Sequence, residues 1–209
     1  MTTSFSNERS AEKIATMTLA PPPKKDLNKT QNKIIDAAIV CVKRWGVDKV
    51  NLNDIAKEAG VTRPTVYSYF SNRDEIIQQA LLQSAYLFGA KAIKHLQKFE
   101  TARERTVEAV VYSLKKLPKE PSLALLKNTD MSNIINNNGL STPEGQLILR
   151  SLFQIILIEK SFNDDELDEI AEVTARFMLS LLTIKSSKKR NDKELRRFIE
   201  RRLLPSLEL

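Results

Sequence analysis

Between Asn51 and Phe70 the apolar positions follow a helical period twice, with one interruption. Leu52, Ile55, Ala56 and Ala59 stand at i, i+3, i+4 and i+7, so one face of a helix is apolar while Asn53, Lys57 and Glu58 face water. Asn51 can cap that helix, and Asp54, three positions on, can reach back to the free amides in the positive end of the helix dipole. Gly60 supplies the left-handed residue that ends it. Thr62 then caps a second short helix, Arg63 to Tyr69, whose early Pro64 lacks an amide hydrogen that would be unpaired in any case. Val66 and Phe70 share its inward face; Arg63, Pro64, Thr65, Tyr67 and Ser68 point largely outward.

The same pattern predicts helices along most of the chain. Upstream, Ile34, Ile35, Ala38, Ile39 and Val42 recur at helical spacing from about Thr30 to Trp45, with Trp45 expected as a lid on a small core. Ser71 or Asn72 can cap a long helix that continues through Leu81, Leu82 and Ala85 towards Phe99. Further helices are expected over Thr101–Leu117, over Glu120 to about Asn136 with a stop at Asn136–Gly139, from a Thr142 cap with Pro143 behind it, from Asn163 to Ile184, and from the basic Ser186–Arg190 loop to Pro205. Leu147, Ile148, Leu152, Phe153, Ile155, Ile156 and Leu157 make the helix after Thr142 apolar nearly all round. The helix after Asn163 carries two apolar faces, more than one core requires. The expected fold is all-α with about nine helices: a flexible arm over 1–28, a three-helix helix-turn-helix domain over 29–75, and a helical effector-binding and dimerisation domain over 76–209. The arm carries Pro21–Pro23 and Lys24–Lys25, and is either a plain leader or a basic tail able to reach phosphates or a minor groove.

Composition narrows the classes. The 209 residues are 42% hydrophobic and 28% charged, ordinary for a globular chain with a substantial core. One histidine and one cysteine rule out a His cluster or a CxxC zinc site, and the five glycines form neither GxGxxG nor a Walker loop. We therefore expect no enzyme, no cofactor and no metal. Cys41 sits in an apolar helical stretch and reads as core, with a redox sensor as the alternative. His95 reads as a pocket-rim residue. The acids from Glu159 to Glu172 suit a solvated helix start better than a metal site. No apolar run is long enough to span a membrane, and the acidic and basic residues through Met1–Ala20 leave no secretory h-region, so a cytoplasmic protein without membrane partners is expected. The net charge of +7 adds little, because its densest part, Ser186–Arg202, lies far from the second short helix.

A helix, a glycine turn and a second helix with a polar, partly basic outer face fit a helix-turn-helix whose second helix enters the major groove. An ordinary helical hairpin fits the same spacing. The residues that separate the two readings are Asp54-Ile55-Ala56, Ala59-Gly60-Val61, Thr62, Thr65, Tyr67, Tyr69-Phe70 and Arg73. Together they resemble the signature of the tetracycline-repressor (TetR) family of transcriptional regulators, across roughly Lys33 to Ala80. Departures are small: Asn51 for the commoner threonine cap, Val42 for a frequent phenylalanine, and Arg73 for a frequent lysine.

The resemblance implies a sequence-specific DNA-binding regulator, a repressor by family habit, which binds a palindromic operator in double-stranded DNA as a homodimer. Outward position and donor chemistry together with the resemblance put Arg63 and Thr65 nearest base edges, Thr62, Tyr67 and Arg73 on phosphates, and Pro64, Ser68 and Tyr69 in the same surface. The last two helices would form the dimer interface, through Ile170, Val173, Phe177, Leu181, Phe198 and Leu203. A small hydrophobic effector is implied in the helical body, and Tyr86, His95, Phe99, Tyr112, Asn128, Met131, Gln146 and Phe153 are the candidates to line its pocket. The competing class is a TetR-like protein-interaction or nucleoid-associated module that has no effector.

Overall fold

The computed structural model describes residue 19 and residues 27–120, 142–184 and 186–209, and every regular element among them is helical. Eight α-helices follow one another: α1 Lys29–Trp45, α2 Leu52–Ala59, α3 Arg63–Tyr67, α4 Arg73–Leu96, α5 Ala102–Lys116, α6 Pro143–Ile156, α7 Asp164–Thr183 and α8 Asp192–Arg202. Short 3-10 turns stand at Val47–Lys49, Leu117–Lys119 and Leu204–Leu207. The helix expected over Glu120–Asn136 and its stop lie outside the described residues, as does nearly all of the arm. No helix among the described residues is long and apolar enough to cross a membrane.

Most starts are written in reciprocal caps. Asn28 with Gln31, Asn51 with Asp54, Thr101 with Glu104, Asn163 with Glu166 and Asn191 with Glu194 each exchange side-chain and backbone bonds across the first turn. Each such cap contributes about 0.5–2 kcal/mol to its helix. Two ends fall short of expectation: α3 closes at Tyr67, where Ser68, Tyr69 and Phe70 fold their amides back onto Pro64 and Val66, and α4 closes at Leu96.

The chain divides into two compact units, one drawn from Pro21–Leu87 and Pro118–Gly145, the other from Met1–Ala20, Phe88–Leu117 and Gln146–Leu209. In the first, α1 packs on α2 and α2 on α3 around Ile34, Ile35, Ala38, Val42, Ile55, Val66, Phe70, Ile76 and Ala80. This core includes the start of α4, so it extends past position 75, where the sequence placed the end of the domain. Trp45 is not its lid: the indole is 40% exposed beneath the Arg44 guanidinium, 5.2 Å from the ring centroid. The chain turns at Gly46, whose φ is +82°, and Val47 packs against the core instead. Cys41 is fully buried there, and burial pushes its thiol pKa up, which disfavours the reactive thiolate.

In the second unit α5 packs against α7 and α8, over a core of Leu96, Val107, Val110, Val111, Phe153, Ile156, Leu167, Ile199, Leu203 and Leu204. Arg105 lies within it at 0% exposure. Its Nε donates to the Ile156 carbonyl at 2.9 Å, its Nη1 donates to the Phe99 and Glu100 carbonyls at 3.1 and 2.9 Å, and its Nη2 pairs with Glu159. Arg150 pairs with Asp164 and Asp168, and Arg196 with Glu108. Glu159, Asp164 and Asp168 of the acidic run thus face arginines, while Asp164, Asp165, Glu166 and Glu169 are exposed around the Asn163 cap, as a solvated helix start requires.

Candidate nucleic-acid interface

The turn between α2 and α3 is set by backbone geometry. Gly60 is left-handed at φ +62°, the Val61 amide donates to Ala56 O at 3.0 Å, and the Gly60 amide donates to Lys57 O at 3.1 Å. This is the doubly bonded glycine stop that reverses a chain within two residues. Val61 then packs on the core, and Thr62 Oγ1 accepts the Thr65 amide at 3.3 Å. Val66 at 0% and Phe70 at 3% exposure hold α3 to the core by its inner face.

What remains outside is a compact donor surface. Thr62, Arg63, Pro64, Tyr67 and Ser68 are exposed, while Thr65 and Tyr69 are half-buried. Tyr69 packs against the core, so less of it faces outward than the expected surface requires. The Arg63 Nη2 donates to the Tyr67 hydroxyl at 3.1 Å, with the guanidinium carbon 5.5 Å from the ring centroid. This i, i+4 pair holds a charged fork and a phenol side by side. The Thr62 and Thr65 hydroxyls lie 2.8 Å apart, and Ser68 Oγ donates to Thr65 O at 2.7 Å. Guanidinium, hydroxyls and phenol along one short helix suit guanine edges and phosphate oxygens.

Arg73 is placed differently from its expected role. Its Nε donates to Val50 O at 2.5 Å, its Nη2 donates to Val47 O, and its Nη1 pairs with Asp74 at 2.8 Å. The guanidinium thus ties the start of α4 to the link between α1 and α2, which holds the 3-10 turn Val47–Lys49, and acts as a brace within this unit. Sequence reasoning had no signal for this, because both carbonyls belong to residues more than twenty positions upstream. A second tie, Arg44 to Glu58 at 3.4 Å, joins α1 to α2.

The residues expected at the dimer interface fall into two groups. Ile170 and Leu203 are 7% and 1% exposed and belong to this chain's own core, so they are not available to a partner. Helical spacing identified their apolar faces but not which face meets the intrachain core. Val173 at 38% exposure and the half-buried Phe177, Leu181 and Phe198 remain, with Ile184 at 67% beside them in sequence. Phe177 and Phe198 stack at 5.7 Å, and the Arg190 guanidinium lies 4.2 Å from the Phe198 ring centroid.

Among the residues expected to line an effector pocket, three come together. His95 lies 4.8 Å from the Tyr112 ring and 5.8 Å from that of Phe99, and Phe88 lies 5.7 Å from Tyr112. Phe153 is buried in the core of the second unit, Gln146 is exposed, and Asn128 and Met131 lie outside the described residues. Tyr86 belongs to the first unit. Two surface hollows, of about 210 and 390 Å³, are lined by other residues, chiefly along α7 and α8. Desolvation beside the rings, followed by the Lys98 charge, lowers the His95 pKa from its ordinary value.

A family model described as bacterial regulatory proteins, tetR family, matches residues 34–80. A probable acrEF/envCD operon repressor of Escherichia coli is 30% identical over 111 residues, which is 50% of this chain and 50% of that protein. The chain therefore matches about half the length of that relative. An uncharacterized HTH-type transcriptional regulator of Mycobacterium tuberculosis is 25% identical over 158 residues, 76% of this chain and 82% of its own length. The fold is shared with AlkX, a TetR family repressor from Dietzia implicated in biodegradation of n-alkanes, at a TM-score of 0.61 and 18% identity over 90% of this chain and 98% of that one. It is also shared with Salmonella enterica GusR, at a TM-score of 0.55 and 15% identity over 90% of this chain and 100% of that one.

Proposed function

We propose that this chain, whose residues 34–80 belong to the tetR family of bacterial regulatory proteins, is a sequence-specific transcriptional regulator that reads double-stranded DNA with α3. The observation that carries the reading is the exposed Arg63–Tyr67 pair flanked by the Thr62 and Thr65 hydroxyls, on a helix pinned from behind by Val66 and Phe70. Arg63 reads a base edge and Thr62 and Tyr67 bind phosphates, while Arg73 braces the same unit. Repression relieved by a small hydrophobic effector, and a homodimer on a palindromic operator, complete the reading. The dimer is supported by the apolar residues that α7 and α8 leave uncovered, Val173, Phe177, Leu181 and Phe198. Two-fold symmetry would set two reading helices one DNA turn, about 34 Å, apart.

Selection of bound duplexes from a random pool tests the reading, with the full chain at fixed salt. A discrete palindrome should emerge, and Arg63→Ala should relax preference at one position of each half-site by about 1–3 kcal/mol. Equal affinity for selected and random duplex would sink it. Diffuse coating of DNA, or recruitment only through another protein, would instead favour the interaction module.

A further inference from the structure

Gly89 stands in the interior of the long helix α4, where glycine costs about 1 kcal/mol relative to alanine. Its φ is not positive, so no special backbone conformation requires it. The reason on the page is another side chain: a Cβ built on Gly89 would stand 3.0 Å from Cδ2 of Leu19, tighter than ordinary van der Waals contact. Leu19 is 2% exposed, and Gly89 is buried with it. One helical turn further along α4, Ala92 and Ile93 are buried at 4% and 3%. A leucine just ahead of Ala20 and three prolines is thus as enclosed as a residue of the central core, far along the chain from the helix that receives it.

We infer that Gly89 is the floor of a leucine-sized apolar seat in the helical body, which the chain fills with its own Leu19. An external alkyl or aryl group enters that seat only by displacing it. Leu19 is then a tethered occupant of the seat. This deepens the effector part of the proposed function and rests on that reading for its regulatory meaning. The seat itself can be tested without DNA.

The test uses the full chain and benzene, a small apolar probe that stabilises a native state containing an enclosed apolar hollow. Leu19→Ala empties the seat, so saturating benzene should raise its Tm by about 2 °C or more, whereas wild type should show no shift. The double variant Leu19→Ala/Gly89→Leu refills the seat from below and should lose the response. A benzene shift in wild type as large as that in Leu19→Ala, no shift in Leu19→Ala, or a shift that persists undiminished in the double variant would each overturn the inference. Failure of wild type to bind a selected operator would sink the regulator reading and leave the Leu19 seat standing.

Discussion

The two units hold themselves together by interactions of different range. Around α2 and α3 most polar contacts span one helical turn: Asn51 with Asp54, Thr62 with Thr65, Arg63 with Tyr67. In the helical body the arginines reach across the chain, Arg105 to Glu159, Arg196 to Glu108 and Arg150 to Asp168. Local bonds shape a surface that must be presented in one geometry, and they cost little entropy because the partners are already neighbours. These long-range pairs join different segments of the chain, and only Arg105 among the three arginines is fully buried. Loss of a buried pair's partner leaves polar groups uncompensated in a low-dielectric interior.

Arg105 gives the sharpest contrast. Arg105→Met removes the guanidinium and strands the Ile156, Phe99 and Glu100 carbonyls together with Glu159. We expect a loss of about 3–5 kcal/mol in urea unfolding of the full chain. A loss below about 1 kcal/mol would show that water replaces these partners and that the body does not depend on its long-range pairs.

The first unit also has long-range contacts, Arg44 with Glu58, Gln83 with Asp36 and those of Arg73, and Arg73 can break the comparison. As a brace, Arg73→Lys should destabilise that unit by about 1–3 kcal/mol, because one ammonium cannot serve two carbonyls and Asp74 in the same fork geometry. Thermal melting and the salt dependence of operator binding separate this from a phosphate role. Unchanged melting with a salt slope reduced by about one unit would restore the sequence-based assignment.

His95 should make the body sensitive to mild acid. Its folded pKa lies below the unfolded value, so the unfolded chain binds more protons between the two. Stability is then fully present above the ordinary histidine value and falls as pH drops through that value towards the folded one. Besides desolvation, Lys98, Lys116 and Arg196 lower this pKa and Glu108 raises it. Melting temperature followed from about pH 7 to pH 5 should decline in wild type and decline less in His95→Gln. Parallel curves would remove His95 as the cause.

The smallest expected effect is at Thr174 on α7, whose buried hydroxyl has no hydrogen-bond partner. Thr174→Val keeps the shape and removes the unpaired group, so the full chain should gain up to about 1 kcal/mol in the same urea measurement. A loss would mean that the hydroxyl is satisfied in solution.

Helix positions, caps and the turn at Gly60 were legible from the chain alone, because each depends on residues within about four positions of one another. Asn51, Asp54, Gly60 and Thr62 specify their local geometry wherever the segment is placed. The outward set on α3 follows from the same period, whereas the resemblance to TetR regulators rests on the particular residues between Asp54 and Arg73. Folding decided what periodicity cannot encode. An apolar stripe does not say which face finds the intrachain core, so Ile170 and Leu203 read as interface and proved to be core. A basic residue does not announce a carbonyl fifty positions away, so Arg105 went unnoticed and Arg73 was assigned to phosphate. Nothing in the sequence around Gly89 announces the Leu19 side chain that lies against it, because a close approach between distant segments exists only once the chain has folded.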